Sequence, residues 1–247
     1  MKLPGITGFL SVFAFFFLTT TSAIAQSAAD DSMLYKRAVS NLINLYQQAS
    51  GDQSGLYNGS QYAGYPFKFT EGHPFFLYDR HGRGSVVYDG VLYENVLMQF
   101  DEVQDALIMD SSSRRIQLIN DRITKFTLFN KSFIRIVKDT ENTTLVRTGF
   151  YELLYDGKIS LLKKEEKLVR DDVTTGELLR FIDIHQYYYI KMNNTYYSIG
   201  SRKSLFSIFK DRKKDLKQFI RKNKLSYRKD RDNMLTKVTA WYDQLIK

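Results

Sequence analysis

Two of the chain's three histidines, His73 and His81, stand in a short stretch that also holds Glu71, Asp79 and Arg83. Imidazoles flanked by carboxylates are a donor set that zinc accepts, and a hydrolytic zinc site uses three such ligands with one position open. His73, Asp79 and His81 are therefore the candidate metal constellation, and a metal-dependent hydrolase built on them is one expectation. The opposing reading is structural. Gly72, Pro74, Gly82 and Gly84 make the stretch loop-like, and His73 before Pro74, like Asp79, is the kind of residue that shapes a turn. The spacing fits no established ligand motif: there is no His-Glu-x-x-His pair, no phosphate-cradling Gly-x-x-x-x-Gly-Lys loop and no EF-hand loop. No cofactor is expected on these grounds. Ser160 with Lys163, and Ser207 with Lys210, match the Ser-x-x-Lys of penicillin-binding enzymes, but the companion motifs are missing. On a strand, moreover, i and i+3 face opposite sides, so Lys163 could not serve Ser160. The adjacent carboxylates Asp101 and Glu102, or Asp171 and Asp172, read as turn caps rather than as an acid and base pair.

A different chemistry is written at the C-terminal end. The segment 202–247 holds 15 of the 36 Lys and Arg but only 5 of the 27 Asp and Glu, a net of +10 there against −1 for the rest of the chain. Lys213, Lys214, Lys217, Arg221, Lys222 and Lys224 fall mostly around the polar side of one helical repeat, and the first five form a candidate surface for an anionic partner. The alternative is a solvated helix face whose other side packs on a sheet. Tyr187 and Tyr189 are a second candidate binding pair, since alternation places both on the strand face opposite Tyr188, where an aromatic stripe can stack a sugar or an apolar ligand. Cross-strand packing explains the same tyrosines and is the favoured account.

The elements that must carry these residues follow from periodicity. Residues 1–25 read as a secretory signal peptide, with Lys2, the apolar stretch 9–18 and a small-x-small site at Ala23 and Ala25 that predicts a mature start at Gln26. The apolar stretch is shorter than the roughly 20 residues of a membrane-spanning helix, so no transmembrane segment is expected in the mature chain. Export makes nucleic acid an improbable partner. It also gives meaning to the absence of cysteine, because stability must then come from burial and strand pairing without disulfides.

Residues 26–64 should form an N-terminal helix, with Leu34, Ala38, Leu42, Leu45 and Ala49 on one face, followed by a Gly- and Ser-rich linker. Residues 65–200 carry the strand signals. Asp89-Gly90, Asp156-Gly157 and Asn193-Asn194 each fit a two-residue hairpin turn, and Asn130-Lys131 fits a tight turn. In the third hairpin the register pairs Met192 with Thr195 and Ile190 with Tyr197. Residues 201–247 should be a basic αα-hairpin with Ser226 as the N-cap of its second helix, packed on the same domain. The class is α+β, mainly an antiparallel meander, with curved sheet, barrel and sandwich all compatible with the pattern.

Tyr57, Asn58 and Gly59, then Gly72 to Phe76 (GHPFF), then Val87 to Gly90 (VYDG) with Tyr93, together with the basic ending, resemble an uncharacterised group of exported Gram-negative bacterial proteins. The resemblance implies that strand region and basic hairpin form one unit, and it brings no activity, ligand or catalytic residue. The leading expectation is thus a periplasmic or secreted non-catalytic protein, accessory or binding in role, that meets an anionic envelope surface or an envelope protein. A carrier of lipid or another apolar ligand within a curved sheet is the second expectation, and the hydrolase around His73 and His81 the third.

Overall fold

The computed structural model describes residues 55–111, 114–138, 146–174 and 176–246, together with helical positions between Leu34 and Leu45. The expected signal peptide, most of the expected N-terminal helix and part of the linker lie outside the described residues. The fold belongs to the second of two compact units, Val39–Lys247.

Eleven strands build one antiparallel sheet: β1 Ser60–Gln61, β2 Gly82–Tyr88, β3 Val91–Asp101, β4 Ala106–Ser111, β5 Arg114–Gln117, β6 Ile123–Leu128, β7 Lys131–Ile136, β8 Gly149–Asp156, β9 Ser160–Asp172, β10 Leu179–Met192 and β11 Thr195–Ser198. Their order is β1-β5-β4-β3-β2-β6-β7-β8-β9-β10-β11, a single open sheet. Three helices follow: α1 Arg202–Ile208, α2 Lys213–Lys222 and α3 Arg231–Leu245.

Local chemistry explains two of the hairpins. Asp89 and Gly90 take φ of 50° and 77°, and Asn193 and Asn194 take 48° and 61°. Two positive φ values in succession give the turn whose twist matches the flanking strands, and Asp, Asn and Gly are the residues that tolerate it. The register of the second hairpin is Met192 opposite Thr195 and Ile190 opposite Tyr197, as its pattern requires.

Two turns differ from expectation. Leu128 pairs with Lys131, so the turn residues are Phe129 and Asn130, both at positive φ, rather than Asn130 and Lys131. Asp156 pairs with Ser160, which makes residues 157–159 a three-residue connection instead of a two-residue turn at Asp156-Gly157. The cause is distant. Ile159 N–H donates to Asp243 Oδ1 on α3 at 2.9 Å, Tyr155 donates its hydroxyl to Asp243 Oδ2 at 3.0 Å, and the Ile159 side chain is buried against the helices. Asp243→Ala leaves a partly buried N–H without an acceptor and is expected to lower stability by about 2 kcal/mol, with Asp243→Asn recovering most of that. Urea titration of the three proteins measures it.

The sheet curls so that strands distant in its order meet through their side chains. Phe100 on β3 lies 5.4 Å from Phe133 on β7 and 5.8 Å from Phe150 on β8, and Phe126 stacks on Phe133 at 4.6 Å. One cross-strand row on this face runs Val86, Phe126, Phe133, Glu152, Lys163, Tyr188. Its first half is apolar and fills the curl. Its second half is polar and meets the helices.

Within the polar half, the pairing of β8 with β9 ends at Glu152 and Lys163. The β3–β4 connection occupies the opening. Phe150 N–H donates to Asp105 Oδ2 at 3.2 Å, Lys164 forms an ion pair with the same carboxylate, and Lys167 N–H donates to the Glu102 carbonyl at 3.3 Å. The backbone groups that a continuous ladder would satisfy are thereby satisfied by a turn.

The helices form a second core with the far end of the sheet. Leu161, Tyr188, Ile190 and Ile199 pack against Leu205, Phe209, Leu216, Ile220, Leu235 and Val238. The expected αα-hairpin is broken in its first limb. At Phe209 the backbone turns to φ −97° and ψ 44°, so α1 and α2 are separate helices joined by the 3-10 turn Lys210–Arg212. The N-cap of α3 is Asp230, whose carboxylate accepts from Asn233 N–H at 3.1 Å, and not Ser226. Ser226 instead accepts from Lys229 N–H, which closes a turn and delivers Asp230 to the helix start.

Candidate functional site

The five acidic residues of the C-terminal segment all serve the helices themselves. Asp211 accepts from the Tyr242 hydroxyl at 3.1 Å, Asp215 pairs with Arg212 at 3.7 Å, and Asp230 caps α3. Asp232 accepts from the Tyr188 hydroxyl and pairs with Lys163 at 3.0 Å, while Asp243 binds the 157–159 connection. Among the described residues, Arg212 is the one basic residue of segment 202–246 that takes part in an ion pair. Among the described residues no carboxylate lies within ion-pair distance of the remaining cations of the segment, nearly all of which are exposed.

They are gathered by the break at Phe209. Because α1 and α2 are separate helices, a groove of about 830 Å³ opens between them. Arg202 and Lys203 line it from α1, Lys213, Lys217 and Arg221 from α2, and Lys224 from the turn beyond. Its apolar lining is Phe206, Ile220 and Leu225. An adjoining cleft of about 650 Å³ shares Arg202 and Leu225 and adds Arg228, Arg231, Ser201 and Ser226. Cationic walls over an apolar strip suit a ligand that is anionic at one end and apolar at the other.

Of the basic residues read from the sequence, Lys213, Lys217 and Arg221 line this groove, whereas Lys214 and Lys222 are exposed on α2 outside it. Lys224, read with them, lines the groove as well, whereas Arg202, Lys203, Arg228 and Arg231 escaped that reading. Their signal was present in the charge count, but only the broken helix brings them together. Tyr187 is 42% exposed and stands apart from the groove. Tyr189 is buried against Tyr151, with ring centres 5.8 Å apart, and shares its cluster with Tyr196. Tyr188 is the member of that run that reaches the helices, through Asp232.

The histidines are placed differently. His73 lies beside Phe75, and its carbonyl accepts from Lys167 Nζ at 3.3 Å. His81 Nε2 is 3.7 Å from Asp110 Oδ2. Burial holds both imidazoles below the ordinary value; Lys167 adds to this at His73, whereas Asp110 opposes it at His81. Among the described residues no hydrogen bond joins His73, Asp79 and His81, and no three His, Asp or Glu side chains converge in an arrangement that could hold a metal ion.

A second collection of charges is buried where the polar half of the cross-strand row passes under the aromatic core. Glu102, Glu152, Lys163 and Glu165 surround a void of about 10 Å³ roofed by Phe76, Phe100, Phe133 and Phe150. That is room for about one water and for no substrate. Glu102 pairs with Lys167 at 3.2 Å and Glu152 with Lys131 at 2.8 Å. Burial pushes the Glu102 carboxyl up to about 8, helped by nearby Glu165 and opposed by Lys167.

No helix among the described residues is long and apolar enough to cross a membrane. Comparison of the chain with protein-family models, with curated proteins and with solved structures returns no match.

Proposed function

We propose that this chain is an exported, non-catalytic binding protein that docks on a phosphate-bearing membrane surface through the basic groove of its C-terminal helices. The observation that carries the reading is the disposition of the acids: four of the five in the segment cap or tether elements and the fifth, Asp215, pairs with Arg212, so among the described residues the cations lining the groove have no ion-pair partner. A face that is merely solvated tends to interleave both signs. Among the described residues, the void of about 10 Å³ under the aromatic core leaves no room there for a ligand, which supports one held at the surface.

Each Lys or Arg held near an anionic leaflet contributes about 1 kcal/mol. Changing Lys213, Lys214 and Lys217 together to Glu is therefore expected to weaken adsorption to vesicles containing phosphatidylglycerol by about a hundredfold or more. These side chains are exposed, so the fold should tolerate the change. Adsorption of the native chain should also fall steeply between about 0.1 and 1 M salt, as the screening length drops from about 10 to about 3 Å. Vesicle sedimentation reads both, and binding indifferent to the charge reversal would overturn the proposal.

A further inference from the structure

We infer that the cleft formed by Arg202, Arg228 and Arg231 is a recognition site for a phosphate monoester at the head of an amphiphile, whose apolar part lies along Phe206, Ile220 and Leu225. This rests on the groove reading above and goes beyond it, because a diffuse basic face attracts any anion whereas several guanidinium groups lining one cleft can discriminate by geometry.

The groove is rich in lysine at its α2 end and in arginine at this one. An ammonium acts as a point charge, but a guanidinium presents a planar fork of donors that matches two phosphate oxygens at once. Two of the three guanidinium groups lie against aromatic rings. Arg231 lies 4.7 Å from the centre of the Tyr227 ring and 5.3 Å from that of Tyr188, and Arg202 lies 5.4 Å from the Phe206 ring. Tyr227 in turn donates its hydroxyl to the Ile199 carbonyl at 3.4 Å, which ties this wall to the end of the sheet.

The acids on either side of Arg231 do not compete for it. Asp230 accepts from Asn233 N–H, and Asp232 is taken up by Lys163 and the Tyr188 hydroxyl. Ser201 and Ser226 line the same cleft with hydroxyl groups. A phosphodiester offers two free oxygens and one charge, too few for three forks. A monoester offers three oxygens and about −1.5 to −2 charges near neutral pH, and it is the phosphate that these donors can saturate. The shared lining residue Leu225, with Phe206 and Ile220 beyond it, continues the cleft as an apolar strip toward the lysine-lined limb.

The test compares phosphatidylcholine vesicles carrying phosphatidic acid, a monoester, with vesicles carrying phosphatidylglycerol, a diester, adjusted to equal surface charge. The native chain is expected to prefer phosphatidic acid by about tenfold. Arg202→Lys with Arg228→Lys keeps every charge, alters two exposed residues and removes two forks; it should bring phosphatidic acid binding down to the phosphatidylglycerol level. Thermal melting of the double variant confirms its fold. Equal binding of the native chain to both vesicles, or a preference that survives the double substitution, overturns the monoester site while leaving the groove reading intact. Failure to bind either vesicle overturns both. Glycerol phosphate carries the monoester without acyl chains and should compete only in large excess; competition at the lipid's own concentration would overturn the role given to the apolar strip.

Discussion

Replacing Asp101 with alanine is expected to destabilise the protein by about 5 kcal/mol, a large part of the 5–15 kcal/mol that holds a domain of this kind together. Asp101 is fully buried at the end of β3 and serves four donors. Its Oδ1 accepts from Val103 N–H at 2.9 Å and from Gln104 N–H at 3.0 Å, which closes the β3–β4 connection. Its Oδ2 accepts from the Tyr62 hydroxyl at 2.7 Å and the Tyr65 hydroxyl at 2.8 Å, which fastens the segment between β1 and β2 to the sheet. Hydrogen bonds to a charged acceptor contribute about 1.5–3 kcal/mol each, and a buried donor left alone costs about 1–3 kcal/mol. The four do not add fully, because Tyr65 is only half-buried and can turn toward water. Asp101→Asn keeps one carbonyl oxygen for the turn but presents an amide to the two hydroxyls, and should cost about half as much. Denaturant titration separates the three proteins, and a loss under about 1 kcal/mol for the alanine variant would show that the turn closes without its carboxylate.

The sequence suggests a turn at this place but not its neighbours. Asp101 followed by Glu102 is a recognisable cap, and the strands on both sides alternate visibly, as do the hairpins at Asp89-Gly90 and Asn193-Asn194, because those features depend on residues a few positions apart. The charged ribbon of β9 is harder to read. Its run from Lys163 to Asp172 resembles solvated surface, yet Lys163, Lys164 and Lys167 are all buried. Each is sheltered by a partner far away in sequence: Asp232 for Lys163, Asp105 for Lys164, and Glu102 with the His73 and Phe75 carbonyls for Lys167. No window along the chain contains both members of such a pair.

The same limit applies to the basic groove. Lys213, Lys217 and Arg221 are evident from helical spacing alone. Arg228 and Arg231 join them only because Ser226 and Asp230 form a turn and a cap in succession, and Arg202 joins only because the helix breaks at Phe209. A charge count finds the segment, while its fold selects which cations face one another.

Glu102 supplies a second large effect, one that depends on pH. Its carboxyl has an ordinary value of 4.5 and is pushed up to about 8 in the folded chain, with burial as the leading cause and Glu165 adding to it. The Lys167 ammonium 3.2 Å away opposes the shift without cancelling it, because that ammonium is shared with the His73 and Phe75 carbonyls. A group whose folded value is raised stabilises fully below its unfolded value and loses that contribution as pH rises through the folded value. The window therefore runs from about pH 4.5 to about pH 8, and the whole shift corresponds to up to roughly 5 kcal/mol. His73 and His81 work in the opposite sense. Their imidazoles are held below the ordinary 6.5, so they cost stability as pH falls through that value. The pH profile of the native chain therefore sums contributions of opposite sign. Glu102→Gln isolates one of them, because the amide has the shape of the protonated acid and cannot ionise. The variant should match the native chain in denaturant titrations at pH 5 and exceed it by several kcal/mol at pH 9; curves that stay parallel across that range would mean that Lys167 keeps Glu102 ionised throughout.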